Sequence, residues 1–207
     1  MTTRVKVCGI TRVEDALAAA RVGVDAVGFV FYPPSPRYVA PERARDITAT
    51  LPPFVSTVGL FVDADAATVA ATLRAIRLDY LQFHGAESPE FCAQFDVPFL
   101  KAVRVKPGVD LLQYAITFSA AKALLLDAFV AGTHGGTGQG FDWQLIPLNM
   151  PIPVILSGGL APGNIAQAVR NVRPWAVDVS SGVEAEKGIK DADKIEQFMR
   201  GVRNADV

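Results

Sequence analysis

The chain has 207 residues and is 50% apolar, a length and composition typical of a folded globular chain. Twenty Lys and Arg residues oppose 21 Asp and Glu residues, and a net charge this close to zero argues against broad attraction to nucleic acid or anionic membrane. Cys8 and Cys92 cannot build a disulfide framework, and no apolar stretch reaches the roughly 20 residues that span a bilayer. Because the first residues also lack the apolar core of a secretory signal, we expect a reduced, cytoplasmic protein.

Short, β-branched apolar runs alternate with amphipathic stretches along the chain, the pattern of βα units around a parallel sheet. Eight strands are predicted, at 4–9, 26–31, 57–62, 80–84, 99–105, 123–127, 154–157 and 176–179. Most are apolar at nearly every position, which is typical of strands covered on both faces.

Helix signals lie between these strands. Residues 13–22 place apolar side chains at helical spacing, with Thr11 as the expected N-cap. Pro41 and Pro162 suit the first turns of helices at 42–51 and 165–172. Two further helices are predicted to begin at 63–65 and at 191–193, the second ending near Gly201. The Gly-rich stretch 130–141 lacks helical periodicity, so we expect a loop there in place of much of a helix.

Eight βα units in this length average about 26 residues each, which predicts a compact, single-domain (β/α)8 TIM barrel over residues 1–207. An open doubly wound sheet is the alternative architecture. Such sheets usually carry a G-x-G-x-x-G turn after the first strand, whereas here that strand ends in Cys8-Gly9-Ile10-Thr11.

Polar residues and glycines collect where the predicted strands end, which is the face of a barrel that carries its chemistry. They are Cys8, Arg37, Asp63, Gln82, His84, Arg104, Asp127, Ser157-Gly158-Gly159 and Asp178-Val179-Ser180-Ser181-Gly182. Either glycine-bearing turn alone is an ordinary strand-to-helix connection. Two of them after the last two strands favour a phosphate site built from backbone N–H groups of Gly158, Gly159, Ser180, Ser181 and Gly182.

Cys8 and Asp127 end the first and sixth predicted strands. A lone cysteine is most often a small buried apolar residue, and a lone aspartate is most often a helix cap. Cys92 is interpreted as such a buried core residue. Together, a thiolate and a carboxylic acid can act as base and acid across the barrel mouth. The spacing of these two residues does not choose between the interpretations.

Arg37 follows several prolines, and its guanidinium can bind a carboxylate through two hydrogen bonds or remain a solvated loop cation. His84 is given a binding or structural role, and His134 is interpreted as incidental. With two distant histidines and no H-E-x-x-H motif, we expect no metal site.

The sequence resembles the phosphoribosylanthranilate isomerase family of tryptophan biosynthesis. The matching stretches are Lys6-Val7-Cys8-Gly9-Ile10-Thr11, Gly28-Phe29-Val30-Phe31, Ser35-Pro36-Arg37-Tyr38, Val58-Gly59-Leu60-Phe61-Val62, Leu81-Gln82-Phe83-His84-Gly85, Leu125-Leu126-Asp127, Gly135-Gly136-Thr137-Gly138, Phe141-Asp142-Trp143, Leu156-Ser157-Gly158-Gly159-Leu160 and Asp178-Val179-Ser180-Ser181-Gly182-Val183-Glu184. They span the chain in the family's order, and the first and last are the most specific.

The resemblance implies a cofactor-free Amadori rearrangement of N-(5-phosphoribosyl)anthranilate, a small-molecule substrate. It implies Asp127 as the general acid, Cys8 as the general base and Arg37 as the ligand of the anthranilate carboxylate. For these roles we expect a depressed Cys8 pKa and an Asp127 kept protonated by burial or by a neighbouring carboxylate such as Asp178.

Further expectations concern binding and assembly. Gln82, His84 and Asp178 are expected to bind substrate, and the two glycine turns to bind its phosphate. The loop 129–140 is a candidate lid. No nucleic-acid or membrane partner is expected. A monomer is the default, since no unpaired apolar face is recognisable, and a homodimer is the alternative.

Two other functions remain to be separated from this one. The sister isomerase of histidine biosynthesis has Asp where this chain has Cys8. A catalytically silent phosphate-binding barrel, acting as a scaffold or sensor, is the alternative outside enzymes, because a fold does not determine a function.

Overall fold

A computed structural model describes residues 2–128 and 142–205 of the chain. Eight parallel strands close into a barrel in which each strand pairs with the next in sequence and the eighth pairs with the first. The strands are β1 (Arg4–Cys8), β2 (Ala26–Val30), β3 (Ser56–Phe61), β4 (Tyr80–Phe83), β5 (Phe99–Val105), β6 (Ala123–Ala128), β7 (Val154–Leu156) and β8 (Ala176–Val179). The predicted (β/α)8 barrel is therefore confirmed, with each strand within two residues of its predicted ends.

Helices follow most strands on the outside of the barrel. They are α1 (Val13–Arg21), α2 (Pro41–Thr48), α3 (Ala66–Ala75), α4 (Pro89–Ala93), α5 (Leu111–Thr117), α6 (Ile165–Val172) and α7 (Ala192–Ala205). No helix within 2–128 or 142–205 is long and apolar enough to cross a membrane.

Several helix-end predictions were wrong. The helix predicted at 42–51 ends at Thr48, and Pro162 precedes the N-cap residue of α6, Asn164. The α7 helix runs four residues past Gly201, where an added Cβ would lie 2.5 Å from Ile165 Cγ2, so this glycine permits close packing of α7 on α6 instead of ending the helix. Thr11 does not cap α1, whose N-cap residue is Arg12. The Thr11 hydroxyl donates instead to the Gly188 carbonyl at 2.6 Å.

The connection from β6 to β7 is described only from residue 142 onward, where Trp143–Leu145 form a 3-10 helix. The loop predicted at 130–141, the lid proposed for 129–140, and His134 lie outside the described residues.

A short antiparallel hairpin after β8 was not predicted. It consists of β9 (Glu184–Glu186) and β10 (Ile189–Lys190). Its strands are short and charged, so they carry no period-2 apolar signal. The hairpin is nevertheless important, because Glu184 and Lys190 are both buried beside the mouth of the barrel.

The apolar core has two parts, separated by the strands. Between the barrel and its helices lies a large shell that includes Phe29, Phe61 and Phe83. Inside the barrel, a smaller apolar cluster fills the interior, with members such as Val58 and Leu125. Closer to the C-terminal ends of the strands than this interior cluster, the inward-facing side chains are polar. They form the site described next.

Candidate active site

The ends of β1 and β8 bring a cysteine, a lysine and an aspartate together inside the barrel. Lys6 and Cys8 lie two positions apart on β1 and therefore share its inward face, and Lys6 is in register with Asp178 of β8. The Lys6 ammonium donates to Asp178 Oδ1 at 2.8 Å, with only 5% and 6% of the two side chains exposed. Gly28 on β2 lies opposite Cys8, and a Cβ there would lie 2.8 Å from Cys8 Sγ and 3.1 Å from Lys6 Cε. The missing side chain at Gly28 is what leaves room for both groups.

The electrostatics of Cys8 differ from expectation. Burial raises the pKa of the Cys8 thiol above its ordinary value, while the positive charge of Lys6 acts in the opposite direction. The predicted depression of the Cys8 pKa is therefore wrong for the protein without substrate, because the desolvation of the thiolate was not considered. Cys92 is buried in the outer core as expected, and burial raises its pKa to about 12.

Asp127 at the end of β6 contacts His84, and His84 contacts Gln82. His84 Nε2 lies 3.1 Å from Asp127 Oδ2, and the Gln82 amide nitrogen lies 2.9 Å from His84 Nδ1. The imidazole thus bridges the two side chains, with Nδ1 facing the Gln82 amide and Nε2 facing the Asp127 carboxyl. Gln82 is wholly buried, and its Oε1 has no hydrogen-bond partner within the described residues. Asp178, considered as a neighbouring carboxylate for Asp127, pairs with Lys6.

Arg37 reaches the same site from the loop after β2. Gly9, with φ +79°, has no side chain to obstruct it, and a Cβ there would lie 2.6 Å from Arg37 Cδ. The guanidinium donates from Nε to Glu184 Oε1 at 2.7 Å and from Nη2 to Glu184 Oε2 at 2.8 Å. Since 13% of the Arg37 side chain is exposed, the alternative of a solvated loop cation is wrong.

Glu184 is held by a second cation as well. Lys190 Nζ donates to Glu184 Oε1 at 2.9 Å, and also to the Ser180 carbonyl at 3.1 Å and the Ser180 hydroxyl at 3.3 Å. Burial acts to raise the pKa of Glu184, but the bonds from Arg37 and Lys190 outweigh it and hold that pKa below its ordinary value. Burial lowers the pKa of Lys190 despite the opposing effect of Glu184.

The two glycine-bearing turns after β7 and β8 lie against each other. Gly158 and Gly159 both have left-handed backbones, with φ of +83° and +67°, a conformation that glycine adopts without strain. At Gly182, an added Cβ would lie 1.9 Å from the Leu160 carbonyl oxygen. The close approach of the turns therefore depends on the absence of a side chain at Gly182.

Sequence reasoning missed three charged residues of this site, namely Lys6, Glu184 and Lys190. The signal for Lys6 was available, because a lysine two positions before Cys8 on a fully buried strand must face the same side as the cysteine and needs a buried partner. Asp63 was singled out but accepts a hydrogen bond from the Ala86 N–H at 2.6 Å, which gives it a structural role in the loop after β4. No cluster of three or more metal-binding side chains occurs in the described part of the chain.

Comparison with known proteins identifies relatives over almost the whole chain. Residues 5–201 match the family model described as N-(5'phosphoribosyl)anthranilate (PRA) isomerase. The N-(5'-phosphoribosyl)anthranilate isomerase of Nitrosospira multiformis is 61% identical over 202 residues, covering 98% of this chain and 97% of that protein. The isomerase of Thiobacillus denitrificans is 60% identical over 199 residues, covering 96% and 97%.

Solved structures give the same family. Phosphoribosyl anthranilate isomerase from Thermotoga maritima superposes with a TM-score of 0.90 at 43% identity, covering 98% of this chain and 99% of that one. A second structure of such an isomerase, in complex with reduced 1-(o-carboxyphenylamino)-1-deoxyribulose 5-phosphate, superposes with a TM-score of 0.87 at 42% identity and the same coverage. A 3-hexulose-6-phosphate synthase from Salmonella typhimurium, at 13% identity and a TM-score of 0.68, shares the fold alone.

Proposed function

The chain belongs to the N-(5′-phosphoribosyl)anthranilate isomerase family, and from that premise we propose that Cys8 and Asp127 are the general base and the general acid of its isomerisation. The chain is an isomerase of tryptophan biosynthesis, acting on N-(5′-phosphoribosyl)anthranilate. The observation that carries the assignment of roles is the placement of these two side chains on β1 and β6, both at the C-terminal mouth of the barrel.

The proposed reaction begins with ring opening. Asp127 gives its proton to the ribose ring oxygen, the bond from C1 to that oxygen breaks, and the nitrogen lone pair forms a Schiff base at C1. The Cys8 thiolate then removes the C2 proton, and the electron pair left at C2 flows toward the nitrogen to give an enolamine. Protonation at C1 and loss of the enol proton yield the ketone, 1-(o-carboxyphenylamino)-1-deoxyribulose 5-phosphate. Each proton transfer needs a positioned acid or base.

The neighbouring side chains support these two roles. Lys6 favours the thiolate of Cys8, against the burial that disfavours it. His84 contacts the Asp127 carboxyl and orients it. In this proposal Gln82 acts through His84, because its amide is bonded to the imidazole ring.

Two anionic groups of the substrate would hold the sugar between the acid and the base. We assign the anthranilate carboxylate to Arg37 and the phosphate to the turns containing Gly158, Gly159, Ser180, Ser181 and Gly182. Asp178 and His84 would contact the sugar between them. Fixing a substrate at both ends supplies the orientation on which much of the rate depends.

Substitution of the two proposed catalytic groups tests their roles. Cys8→Ser and Asp127→Asn should each remove most turnover, measured as the loss of substrate fluorescence, while leaving binding of a reduced product analogue within a few-fold. Unchanged turnover in either variant overturns that role. The scaffold or sensor alternative requires that the unmodified protein bind the analogue and catalyse nothing.

Domain extent, compartment and assembly remain proposals. We propose one domain over residues 1–207, supported by a family model that covers nearly all of it, and a cytoplasmic location, supported by the biosynthetic family. The monomer prediction was made because no unpaired apolar face is recognisable in the sequence, and in the structure the Phe54 side chain is 99% exposed. One solved relative, from Thermotoga maritima, is described as dimeric. A homodimer is thus the better-supported proposal, and light scattering on the purified protein tests it.

A further inference from the structure

The cluster formed by Arg37, Glu184, Lys190 and Ser180 joins two ends of the site that the proposed function treats separately. Arg37 is assigned to the substrate carboxylate and Ser180 to the phosphate turn. Between them, Glu184 accepts from Arg37 at 2.7 and 2.8 Å, and Lys190 donates to Glu184 at 2.9 Å and to Ser180 at 3.1 and 3.3 Å. The two anion-binding ends are therefore connected through a continuous hydrogen-bonded network.

The geometry at Arg37 leaves part of its guanidinium unused by Glu184. Glu184 occupies the side of the guanidinium formed by Nε and Nη2. A guanidinium has a second donor pair, formed by Nη1 and the other hydrogen of Nη2, that suits a carboxylate in the same bidentate manner. A substrate carboxylate can thus bind Arg37 without displacing Glu184.

Glu184 is also held too firmly for the substrate carboxylate to displace it from Arg37. Its Oε1 accepts from Arg37, from Lys190 and, at 3.3 Å, from the Gly188 N–H. The Lys190 side chain is wholly buried. Moving Glu184 away from it would leave a buried ammonium ion without a counter-ion, which is strongly unfavourable.

The charges of the cluster do not cancel. Arg37 and Lys190 are two cations that share the one carboxylate of Glu184, whereas the nearby Lys6 is matched one to one by Asp178. The cluster therefore retains one excess positive charge beside Cys8, and an anionic group of a ligand would neutralise it.

From these contacts we infer that Glu184 is a positioning residue that aims Arg37 at the substrate carboxylate and, through Lys190, fixes its place relative to the phosphate turn. This inference rests on the proposed function, since it takes Arg37 as the carboxylate ligand. Glu184 itself touches no reacting atom in this arrangement and acts only through Arg37.

Two binding probes separate a positioning role from a merely structural one. The first is reduced 1-(o-carboxyphenylamino)-1-deoxyribulose 5-phosphate, and the second is the same molecule with a phenyl ring that lacks the carboxylate. Calorimetry with the unmodified protein should show the first binding roughly 10- to 100-fold more tightly, the range expected for a charged bidentate contact. Equal binding of both probes by the unmodified protein would contradict the assignment of Arg37 as the carboxylate ligand. That result concerns the proposed function and is distinguishable from a result that contradicts only the inference about Glu184.

Glu184→Gln should weaken binding of the probe that carries the carboxylate roughly 10-fold, and should change the affinity for the probe without a carboxylate less than 2-fold. Glu186→Gln, on the exposed end of the same hairpin strand, is the matched control and should change neither. Equal weakening of both probes, or no weakening of either, overturns the inference. Should Glu184→Gln not fold, Glu184→Asp keeps the charge opposite Lys190 but is too short to reach both Arg37 donors, and the same selective loss is expected.

Discussion

Lys6 Nζ lies 2.8 Å from Asp178 Oδ1 inside the barrel, and both side chains are almost completely buried. Taking two charges out of water costs free energy that their mutual attraction only partly offsets. An apolar pair of similar volume would fill the same space without that cost. Cys8 lies on the same inward face of β1 as Lys6. The ion pair therefore has a functional explanation, because the lysine ammonium stabilises the thiolate form of Cys8 that a general base requires.

Lys6→Met should therefore raise the pKa of Cys8 further, because the buried thiolate loses a neighbouring positive charge. With Lys6 gone, the burial that already raises this pKa is opposed only by the weaker effect of Lys190. The thiolate fraction at neutral pH then falls, and the rise of kcat/KM with pH moves to higher pH. Thiolate absorbance near 240 nm, taken as the difference from Cys8→Ser, measures the shift, and Cys92 with its pKa of about 12 stays silent in this range.

Because Lys6→Met leaves Asp178 buried without its partner, a companion variant is needed. Lys6→Met combined with Asp178→Asn removes both charges and restores the balance. Since Asp178 itself disfavours the Cys8 thiolate, the double variant should show a smaller shift than the single one. An unchanged Cys8 titration in the folded single variant would contradict the assigned role of Lys6.

Stability in acid should depend on Glu184. Its pKa is lowered in the folded protein, so as pH falls below about 4.5 the unfolded chain takes up this proton before the folded one does. The stabilisation from Glu184 is present above that pH and is lost as pH falls through the folded pKa. Urea unfolding measures the free energy of unfolding at pH 7 and at pH 3 to 4. Between these pH values, Glu184→Gln should lose less of that free energy than Glu186→Gln, and equal losses in the two variants would contradict the prediction.

Gly28→Ala tests the packing around Cys8. The new methyl group would lie 2.8 Å from Cys8 Sγ and 3.1 Å from Lys6 Cε, so the sulfur must move. Displacements of this size at a reacting group lower rates by roughly 10- to 100-fold, and we expect kcat/KM to fall by that factor. Gly163→Ala is the control, because no heavy atom lies within 4 Å of its added Cβ. Equal activity in the two variants would show that Cys8 tolerates displacement.

The barrel was predictable because its signal is repeated. Eight apolar strands recur with helical stretches between them, and errors of one or two residues at their ends, or at Gly201 in α7, do not change the topology. The hairpin that carries Glu184 and Lys190 gave no such signal, since its strands have three and two residues.

The site was predictable in its residue types but not in its pairings. Cys8, Asp127 and the glycine turns stand out because they end strands. That Arg37 meets Glu184, 147 positions away, follows only from the closure of β8 onto β1. The raised pKa of Cys8 likewise follows from the depth at which the closed barrel buries it, and no local pattern contains that information.

The loop after β4, which carries His84, is supported by another buried ion pair. Lys101 Nζ donates to Glu87 Oε2 at 2.8 Å and to the Gly85 carbonyl at 2.7 Å. Glu87 in turn accepts from the backbone N–H groups of Gly85 at 2.9 Å and Asp63 at 2.9 Å. The carboxylate and ammonium thus satisfy the backbone of the segment that positions His84 against Asp127.

Breaking this pair should destabilise the protein strongly. Lys101→Met leaves the Glu87 carboxylate, with only 2% of its side chain exposed, buried without a counter-ion, and we expect the free energy of unfolding to fall by about 3 to 5 kcal/mol. Glu87→Gln combined with Lys101→Met should cost less than the single change, because no uncompensated charge remains. Arg45→Met, which breaks the exposed pair with Asp46, should cost less than about 1 kcal/mol. Urea unfolding followed by circular dichroism measures all three, and a loss at Lys101 as small as that at Arg45 would mean that water reaches the Glu87 carboxylate.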